Sequence, residues 1–407
     1  MTGPLDGVRI VDFTTMISGP LATMILADQG AEVIKVEHPR GGDHSRRVAD
    51  RRGGMSASFL NNNRGKRSVT LDLKTEEGRG AALRLCAGAD VVVQNFRPGV
   101  VDRLGLAEAA VRALRRDVIY VSISGFGVQG DWAARPVYDP LVQALSGLAA
   151  VQGGGQGRRP RLVRTILPDK VTAIQGAQAI SAALFARERT GEGAHVTLSM
   201  LGTVVAFLWS SDMAGLTFVG DEDAPDAAPH DAPAQDYVEL IYRTADGWMA
   251  VSAHTDSTWA GLSRAVGRPD WLKDPRFASV ALRETNKTAR LDLTQEALTA
   301  DTTANWMRRL TAEDVPCAPA LTRSEMIAHP QVAAAGIVVE SDHPQAGRIR
   351  QARPAARFSA VAAEPSRPAP RLGQDTRAVL AGAGYDDQEI DAMIAAGVAT
   401  GPQEGEP

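Results

Sequence analysis

Cysteine is scarce in this chain of 407 residues, which contains only Cys86 and Cys317. The two residues lie far apart, neither belongs to a CxxC motif, and no histidine stands beside either of them. A disulfide framework, a clustered-cysteine metal site and a cysteine nucleophile are therefore not indicated. Two isolated thiols are typical of a protein from a reducing compartment.

Long apolar runs are also missing. The most membrane-like stretch, TVVAFLWSSDMAGLTFVG, contains an aspartate, and its uncharged part is too short to span a bilayer. The first residues, MTGPLDGVRIVDF, lack the basic and apolar regions of a signal peptide. The net charge is only −4, with Lys and Arg scattered along the chain, which gives no electrostatic case for nucleic acid. We expect a cytoplasmic protein without membrane or nucleic-acid partners.

Several common catalytic motifs are absent from the sequence. No GxSxG elbow, HExxH or P-loop occurs, and the seven histidines are dispersed, so we expect no metal site. One GxGxxG match, GFGVQG at 125–130, follows a predicted strand, but DWAARPVYDP occupies the place where a pyrophosphate-binding helix should begin. Glu37 ends another predicted strand, where it could bind a ribose or simply be solvated. Nicotinamide binding is therefore disfavoured.

Alternating β-rich and helical segments fill the first half of the chain. This spacing predicts parallel βαβ units and a doubly wound α/β sheet. A helix over 19–30 separates the first two predicted strands, and another over 76–89 follows the third. The predicted strands are at 8–13, 31–37, 68–73, 90–96, 117–127 and 195–200.

Shifts in composition suggest the domain organisation. We assign 1–215 to a large α/β domain and 216–236, rich in Asp, Ala and Pro, to a linker. A β-hairpin about an ADG turn opens a smaller α+β domain over 237–325. The chain then returns to the large domain over 326–400, through an extended arm and a last helix, and 401–407 is expected to be disordered.

The segment RTILPDKVTAIQGAQAISAALFARERTGEG places Asp169 after a proline and before a helical run. An aspartate in this position is usually an N-cap, accepting hydrogen bonds from the free N–H groups of the first turn. The same N–H groups could instead hold an ionised carboxylate ready to attack a substrate. The pattern alone favours the cap.

Basic residues concentrate in three segments that border the ends of predicted strands, where α/β folds bind ligands. Most such charges are merely solvated, yet three basic loops at one edge suit a ligand with several phosphates, such as a nucleotide or coenzyme A. Phe96 offers a flat face for an adenine. The basic residues are Arg40, Arg46, Arg47, Arg51, Arg52, Arg64, Lys66, Arg67, Arg97 and Arg103.

Together these motifs resemble the family III CoA-transferases, a group that includes formyl-CoA transferase, carnitine CoA-transferase and the α-methylacyl-CoA racemases. The resemblance implies a Rossmann-like large domain, an interlocked homodimer, and no cofactor, with coenzyme A as a co-substrate. It covers roughly residues 4 to 376 through PLDGVRIVDFT, GAEVIKVE, NRGKRSVTLDLKTEEG, DVVVQNFRPGVVDRLG, VSISGFG, YDPLVQALSGL, AISAALFARERTGEGAHVTLSM and PRLGQDT.

The resemblance implies that Asp169 is the nucleophile, forming an aspartyl-CoA thioester that an acceptor carboxylate then attacks. With this context the nucleophile is favoured over the cap, and the two roles are compatible because a helix N-terminus should keep the carboxyl ionised. The implied contacts with CoA are Met16, Ile17, His38, Leu71, Lys74, Asn95, Phe96, Arg103 and Tyr138.

Two departures from the family pattern and a set of three basic residues bear on the substrates. His38 stands where many relatives have an arginine, so Arg40 is expected to reach the phosphates. The glycine-rich loop of formyl-CoA transferase is missing, which argues against oxalate and formyl chemistry. Arg135, Arg164 and Lys170 hint at a carboxylate acceptor, such as a dicarboxylate with succinyl-CoA as donor.

Two other functions remain open. The racemase branch needs a histidine at the position of Tyr138, and a tyrosine with a pKa near 10 is a poor base at pH 7. An acyl-CoA racemase or epimerase is therefore less favoured than a transferase. A non-catalytic acyl-CoA binding protein is the alternative of another class, and it would not need the carboxylate of Asp169.

Overall fold

A computed structural model describes residues 3–155, 157–213, 216–219, 240–359 and 367–402. These residues form two compact units. The described residues up to 219, together with those from 339 onward, make the first unit, and residues 240–338 make the second. Most of the predicted linker, from residue 220, lies outside the described residues, as do residues 403–407 of the predicted tail.

Strands and helices follow one another along both units of the chain. The strands are β1 (Arg9–Asp12), β2 (Glu32–Glu37), β3 (Arg51–Arg52), β4 (Met55–Ser56), β5 (Lys66–Thr70), β6 (Val91–Gln94), β7 (Ile119–Ser124), β8 (Ala194–Ser199), β9 (Ile241–Arg243), β10 (Trp248–Val251), β11 (Cys317–Pro319), β12 (Val338–His343) and β13 (Gly347–Ala352). The helices are α1 (Ser18–Ala27), α2 (Ala57–Asn63), α3 (Glu76–Ala87), α4 (Val100–Arg103), α5 (Glu108–Leu114), α6 (Asp139–Leu145), α7 (Leu148–Gly153), α8 (Leu167–Thr190), α9 (Met200–Trp209), α10 (Asp256–Ala265), α11 (Val280–Thr285), α12 (Lys287–Leu298), α13 (Thr303–Ala312), α14 (Arg323–Ala328), α15 (Pro330–Ala334), α16 (Thr376–Gly382) and α17 (Asp387–Ala395). Of the helices in the described ranges, none is both long and apolar enough to traverse a bilayer.

The first unit is built on a six-stranded sheet with the order β5-β2-β1-β6-β7-β8. Every neighbouring pair in this sheet is parallel. The chain builds outward from β1 to β2 and β5 on one side, and to β6, β7 and β8 on the other. The predicted doubly wound α/β sheet is confirmed, with its topological switch point between β1 and β6.

Both faces of this sheet are buried, as a parallel sheet requires. Successive residues point to opposite faces, so Ile10 and Val11 on β1 belong to two separate hydrophobic clusters. One cluster packs the sheet against residues of α3, α16 and α17, including Leu85 and Leu380. The other packs it against α1 and α8, through Leu26 and other residues. Helices α1 and α8 therefore lie on the same face.

The strand predicted over 68–73 is displaced in the structure. The observed strand β5 begins at Lys66 and ends at Thr70. A lysine normally marks a solvated end, but Lys66 is fully buried, with its ammonium 2.9 Å from a carboxylate oxygen of Asp12. The apolar helix that follows β8, α9, ends at Trp209, and residues 214–215 lie outside the described part.

The second unit has its own sheet and core. Strands β9 and β10 form an antiparallel pair, and β11 adds to β10, also antiparallel. The predicted hairpin is confirmed over the described residues of that segment, which exclude 237–239. Helices α10 and α13 contribute Trp259 and Trp306 to a buried cluster, in which Trp259 stacks on Trp271 with the ring centroids 5.4 Å apart.

Candidate active site

The carboxyl ends of the sheet strands gather the residues expected to bind CoA. Because all six strands are parallel, the loops that follow them emerge at one edge. The residues lie as follows: Met16 and Ile17 after β1, His38 and Arg40 after β2, Leu71 and Lys74 after β5, Asn95 and Phe96 after β6, Arg103 at the end of α4, and Tyr138 just before α6.

Asp169 is the third residue of α8, and its carboxylate faces the start of another helix. It accepts hydrogen bonds from both the N–H and the hydroxyl of Ser18, which is the first residue of α1. The N-cap position of α8 is Ile166, whose side chain makes no capping hydrogen bond. The interpretation of Asp169 as the cap of its own helix is therefore wrong; its carboxylate lies at the positive end of the α1 dipole instead.

Asp139, the first residue of α6, supplies the missing cap. The N–H of Asp169 donates to Oδ2 of Asp139 at 3.3 Å, and Gln143 Nε2 donates to Oδ1 at 2.6 Å. Asp139 is only 4% exposed. A second carboxylate is thus fixed beside Asp169, and it satisfies one of the free N–H groups at the start of α8.

Burial and the neighbouring charge raise the pKa of Asp169. Desolvation is the largest cause, the negative charge of Asp139 is the next, and together they move the pKa from 3.8 to about 6, against the two hydrogen bonds from Ser18. Burial also raises the pKa of Asp139. The helix N-terminus that was expected to keep this carboxyl ionised is therefore opposed by burial and by the charge of Asp139. The carboxyl is still mostly ionised at pH 7, but it is unusually basic.

The turn of residues 14–16, which leads into α1, is hydrogen-bonded to side chains from distant parts of the chain. The N–H and the carbonyl of Thr15 both bond to the side-chain amide of Asn95, at 2.9 Å each. The N–H of Met16 donates to Asp43 Oδ1 at 3.1 Å, and Met16 has a left-handed φ of 70°. The side chain of Asn95 is thus committed to holding this turn.

The loops after β2 and β5 are joined through Asp72. The N–H of Lys74 donates to Asp72 Oδ1 at 3.0 Å, and Nε2 of His38 lies 3.9 Å from Asp72 Oδ2. His38 Nδ1 accepts the N–H of Arg40 at 3.0 Å, so its proton belongs on Nε2, towards Asp72. The side chains of Arg40 and Lys74 are exposed and free to face phosphates.

The other residues expected to bind CoA differ in accessibility. Leu71 is 1% exposed and lies in the core, so only its backbone can meet a ligand. Phe96 is half-buried against the same core, and its N–H donates to Gln94 Oε1 at 2.9 Å. Arg103 is exposed, and Tyr138 is 66% exposed.

Four of the clustered basic residues do not face a ligand. Each is committed to an acidic side chain of the protein, and Glu37 is 5% exposed, which excludes both the ribose-binding and the solvated interpretations of that residue. The pairs are Arg46 with Glu37 at 2.7 Å, Arg64 with Asp28 at 2.7 Å, Lys66 with Asp12 at 2.9 Å and Arg67 with Glu32 at 2.7 Å.

The residues expected to attract the acceptor acid are exposed. Arg135 places its guanidinium 4.1 Å from the ring centroid of Trp132. Lys170 donates to Thr165 Oγ1 at 2.6 Å, and its positive charge lowers the pKa of Asp139, although burial outweighs it. Lys170 is thus close enough to act electrostatically on Asp139, the carboxylate beside Asp169.

Three findings concern the GFGVQG motif, Cys86 and metal binding. After GFGVQG the chain forms no α-helix until Asp139, so no helix follows this motif as a dinucleotide site requires. Cys86 is buried, which raises the pKa of its thiol to about 12. Within the described ranges, no three His, Cys, Asp or Glu side chains are grouped so that they could hold a metal ion.

Sequence reasoning did not identify Ser18 and Asp139 as partners of Asp169. All three residues start helices, α1, α6 and α8, and the fold places these starts together. A small polar or acidic residue at a helix start was the available signal, but it is so common that it does not identify a pair.

Comparisons with known proteins identify the family of the chain. The profile described as CoA-transferase family III matches residues 5–376. Succinyl-CoA:glutarate CoA-transferase of Homo sapiens is 32% identical over 399 residues, covering 97% of this chain and 90% of that protein. Acetyl-CoA:oxalate CoA-transferase of Acetobacter aceti is 35% identical over 345 residues, covering 83% and 86%. A CAIB/BAIF family protein from Brucella suis has a crystal structure with a TM-score of 0.79 at 31% identity, covering 94% and 100%.

Proposed function

The chain belongs to CoA-transferase family III, whose members act on acyl-CoA and carboxylic acids, and from this premise we propose that Asp169 carries CoA as a covalent aspartyl thioester. The observation that supports the proposal most is the setting of its carboxylate. It is largely buried, unusually basic, held by the first residue of α1 and flanked by a second carboxylate.

The first half-reaction transfers CoA to the enzyme. The carboxylate of Asp169 attacks the thioester carbonyl of the donor, forming a mixed anhydride and releasing CoA thiolate. The thiolate then attacks the aspartyl carbonyl, which gives the aspartyl-CoA thioester and releases the donor acid. Each step exchanges acyl bonds of similar energy, so the reaction needs no ATP.

The second half-reaction runs the same chemistry in reverse with the acceptor. Its carboxylate attacks the aspartyl-CoA carbonyl and expels CoA thiolate. The thiolate then attacks the acceptor carbonyl of the new anhydride, which forms the product acyl-CoA and regenerates the carboxylate of Asp169. One oxygen of that carboxylate now comes from the acceptor.

Ser18 and Asp139 have complementary roles in this scheme. Attack on the aspartyl carbonyl creates a negative oxygen, and the two Ser18 donors that now hold the carboxylate are placed to stabilise it. Asp139 makes the free carboxylate more basic, which favours its attack on the donor, and fixes its backbone through the N–H bond. The site therefore combines an activated nucleophile with an oxyanion donor.

For the substrates, we propose that Arg40, Lys74 and Arg103 bind the phosphates of CoA and that Phe96 packs on its adenine. The arrangement of these residues at one sheet edge supports this. We further propose a dicarboxylic acceptor, drawn by Lys170 and Arg135. The names of two relatives include dicarboxylic acids, glutarate and oxalate, although the missing glycine-rich loop argues against oxalate here.

We also propose that the chain works as a homodimer. Large apolar side chains on the outer faces of α8 and α9 are exposed, among them Ile174 at 61%, Phe185 at 65% and Phe207 at 48%. A groove lined by Val171, Gln175, Phe207 and other residues runs between these helices. An unshielded apolar surface of this kind is typical of an interface. Sedimentation equilibrium should give twice the chain mass.

The covalent step can be tested by trapping. The protein is mixed with a panel of acyl-CoAs, quenched with hydroxylamine and mapped by peptide mass spectrometry. We expect a hydroxamate on Asp169 with at least one panel member, and none in Asp169→Ala, which should still bind CoA. If the protein instead exchanged the α-proton of an acyl-CoA for deuterium in heavy water, with no hydroxamate on Asp169, it would be a racemase. CoA binding with neither signal would support the non-catalytic binder and refute the proposal.

A further inference from the structure

Two lysines on neighbouring strands of the sheet, one on β2 and one on β5, are buried, and the mechanism above uses neither. Lys35 and Lys66 are both fully buried. Removing an ammonium from water is costly unless it is paired, so their retention in the interior calls for a reason. The contacts of Lys35 suggest one, because they reach the turn that precedes Ser18.

Lys35 joins the turn to the loop that follows β2. Its Nζ donates to the carbonyl of Thr14 at 2.7 Å and lies 2.9 Å from Oδ2 of Asp43. The other oxygen of Asp43 accepts the N–H groups of Met16 at 3.1 Å and Ser45 at 2.9 Å. One ion pair thus bonds to the first and third residues of the turn 14–16.

The conformation of this turn needs such support. The φ of Met16 is 70°, a left-handed backbone that a residue with a side chain adopts only when its surroundings hold it there. Two residues later the chain enters α1 at Ser18, whose N–H and hydroxyl bond to Asp169. If Met16 relaxed to negative φ, the direction of these two donors would change.

We propose that the buried Lys35–Asp43 ion pair is a positioning pair for the reaction, holding Met16 in its left-handed conformation so that Ser18 reaches the carboxylate of Asp169. This inference rests on the proposed function. The charged groups around the pair are Asp12, Glu37 and Lys66, and Asp139 is the charged neighbour of Asp169. All of these stay unchanged in the variants below.

The test uses Asp43→Asn, which keeps an oxygen for the N–H of Met16 but removes the charge that Lys35 pairs with. The carboxyl group of Asp169 is titrated by NMR in protein carrying ¹³C-labelled aspartate and assigned by comparison with Asp169→Ala. We expect Asp43→Asn to raise the pKa of Asp169, because the Ser18 donors are displaced. It should lower kcat by about tenfold, less than the ~10²-fold that complete removal of one such donor costs, since the donors are displaced and not removed.

A suppressor and a control make the test specific. Adding Met16→Gly to Asp43→Asn should return the pKa of Asp169 most of the way to its wild-type value, since glycine adopts positive φ without strain. The rescue is measured by the titration and not by kcat, because Met16 is itself expected to contact CoA. The control is Asp90→Asn, which removes a carboxylate paired with Arg115 and Arg187 just before β6, at the opposite end of the sheet. It should lower thermal stability without moving the titration of Asp169.

Should Asp43→Asn fail to fold, Met16→Val perturbs the turn without disturbing a buried charge, because a β-branched residue resists positive φ. It should raise the pKa of Asp169 in the same direction. An unchanged titration in the folded variant, or no rescue by Met16→Gly, would overturn the inference. Since the titration needs no turnover, it remains informative even if trapping on the wild-type enzyme refutes the proposed function.

Discussion

The carboxylate pair makes a quantitative prediction about pH. If Asp169 must be ionised to attack the donor, kcat/KM falls as the pH drops through its pKa of about 6. Replacing Asp139 by Asn removes the neighbouring negative charge and keeps the size and one acceptor oxygen of the side chain. The pKa of Asp169 should therefore fall, and the acid limb of the profile should move to lower pH.

The size of the shift follows from the ranking of its causes. The whole rise is from 3.8 to about 6, and burial contributes more to it than Asp139 does. Removing the charge should therefore move the limb by about 0.5 to 1 unit, less than half of the rise. At pH 5, relative to each plateau, the wild type would retain about a tenth of its kcat/KM and the variant up to about half.

The assay is the initial rate of CoA transfer at subsaturating acyl-CoA between pH 4.5 and 8, with Asp90→Asn as the control for a remote change of charge. Ser18→Ala provides the opposite perturbation, because loss of a donor to the carboxylate should move the limb to higher pH. If both variants left the limb unchanged, or if Asp139→Asn moved it upward, the electrostatic account of this site would be wrong.

Three further predictions concern other parts of the account. Ser18→Ala should lower plateau kcat about 10²-fold while the KM for acyl-CoA changes little, the signature of a donor that acts mainly in the transition state; an equal rise in KM would contradict it. Lys170→Met should raise the KM for a dicarboxylic acceptor about tenfold, a loss of about 1.4 kcal/mol, and leave the KM for acyl-CoA unchanged; Lys74→Met should show the reverse pattern. Asp12→Ala should lower the free energy of unfolding by about 3–5 kcal/mol in urea titrations, because Lys66 would remain buried without its partner; a loss below about 1 kcal/mol would show that Lys66 finds another partner or releases its proton.

The large features of the fold were predictable because they depend on local patterns. Short apolar runs such as those of β1 and β2 identify buried parallel strands. Their alternation with helical segments along the chain identifies a doubly wound sheet. The loops expected to bind CoA could be placed for the same reason, since each follows a strand. The position of Asp169 near a helix start was also readable from its proline and the helical run that follows.

The partners of Asp169 were not predictable, because they come from distant parts of the chain. Nothing in the residues near Ser18 or Asp139 indicates that α1, α6 and α8 start close together. The buried charges were mispredicted for another reason. Lys66 and Glu37 belong to residue types that are mostly exposed, so they were assigned to solvent or to a ligand. Their burial follows from pairing with Asp12 and Arg46, which only the tertiary structure reveals.

The central claim is that the carboxylate of Asp169 is covalently rebuilt in every turnover. It is tested most directly by supplying an acceptor acid with ¹⁸O in its carboxylate to the enzyme loaded as aspartyl-CoA, for a single turnover. We predict that the peptide containing Asp169 gains one ¹⁸O atom, a mass increase that no other peptide shows. Product acyl-CoA formed without ¹⁸O entering Asp169 would mean that the acceptor carboxylate does not attack the aspartyl carbonyl, and would contradict the account.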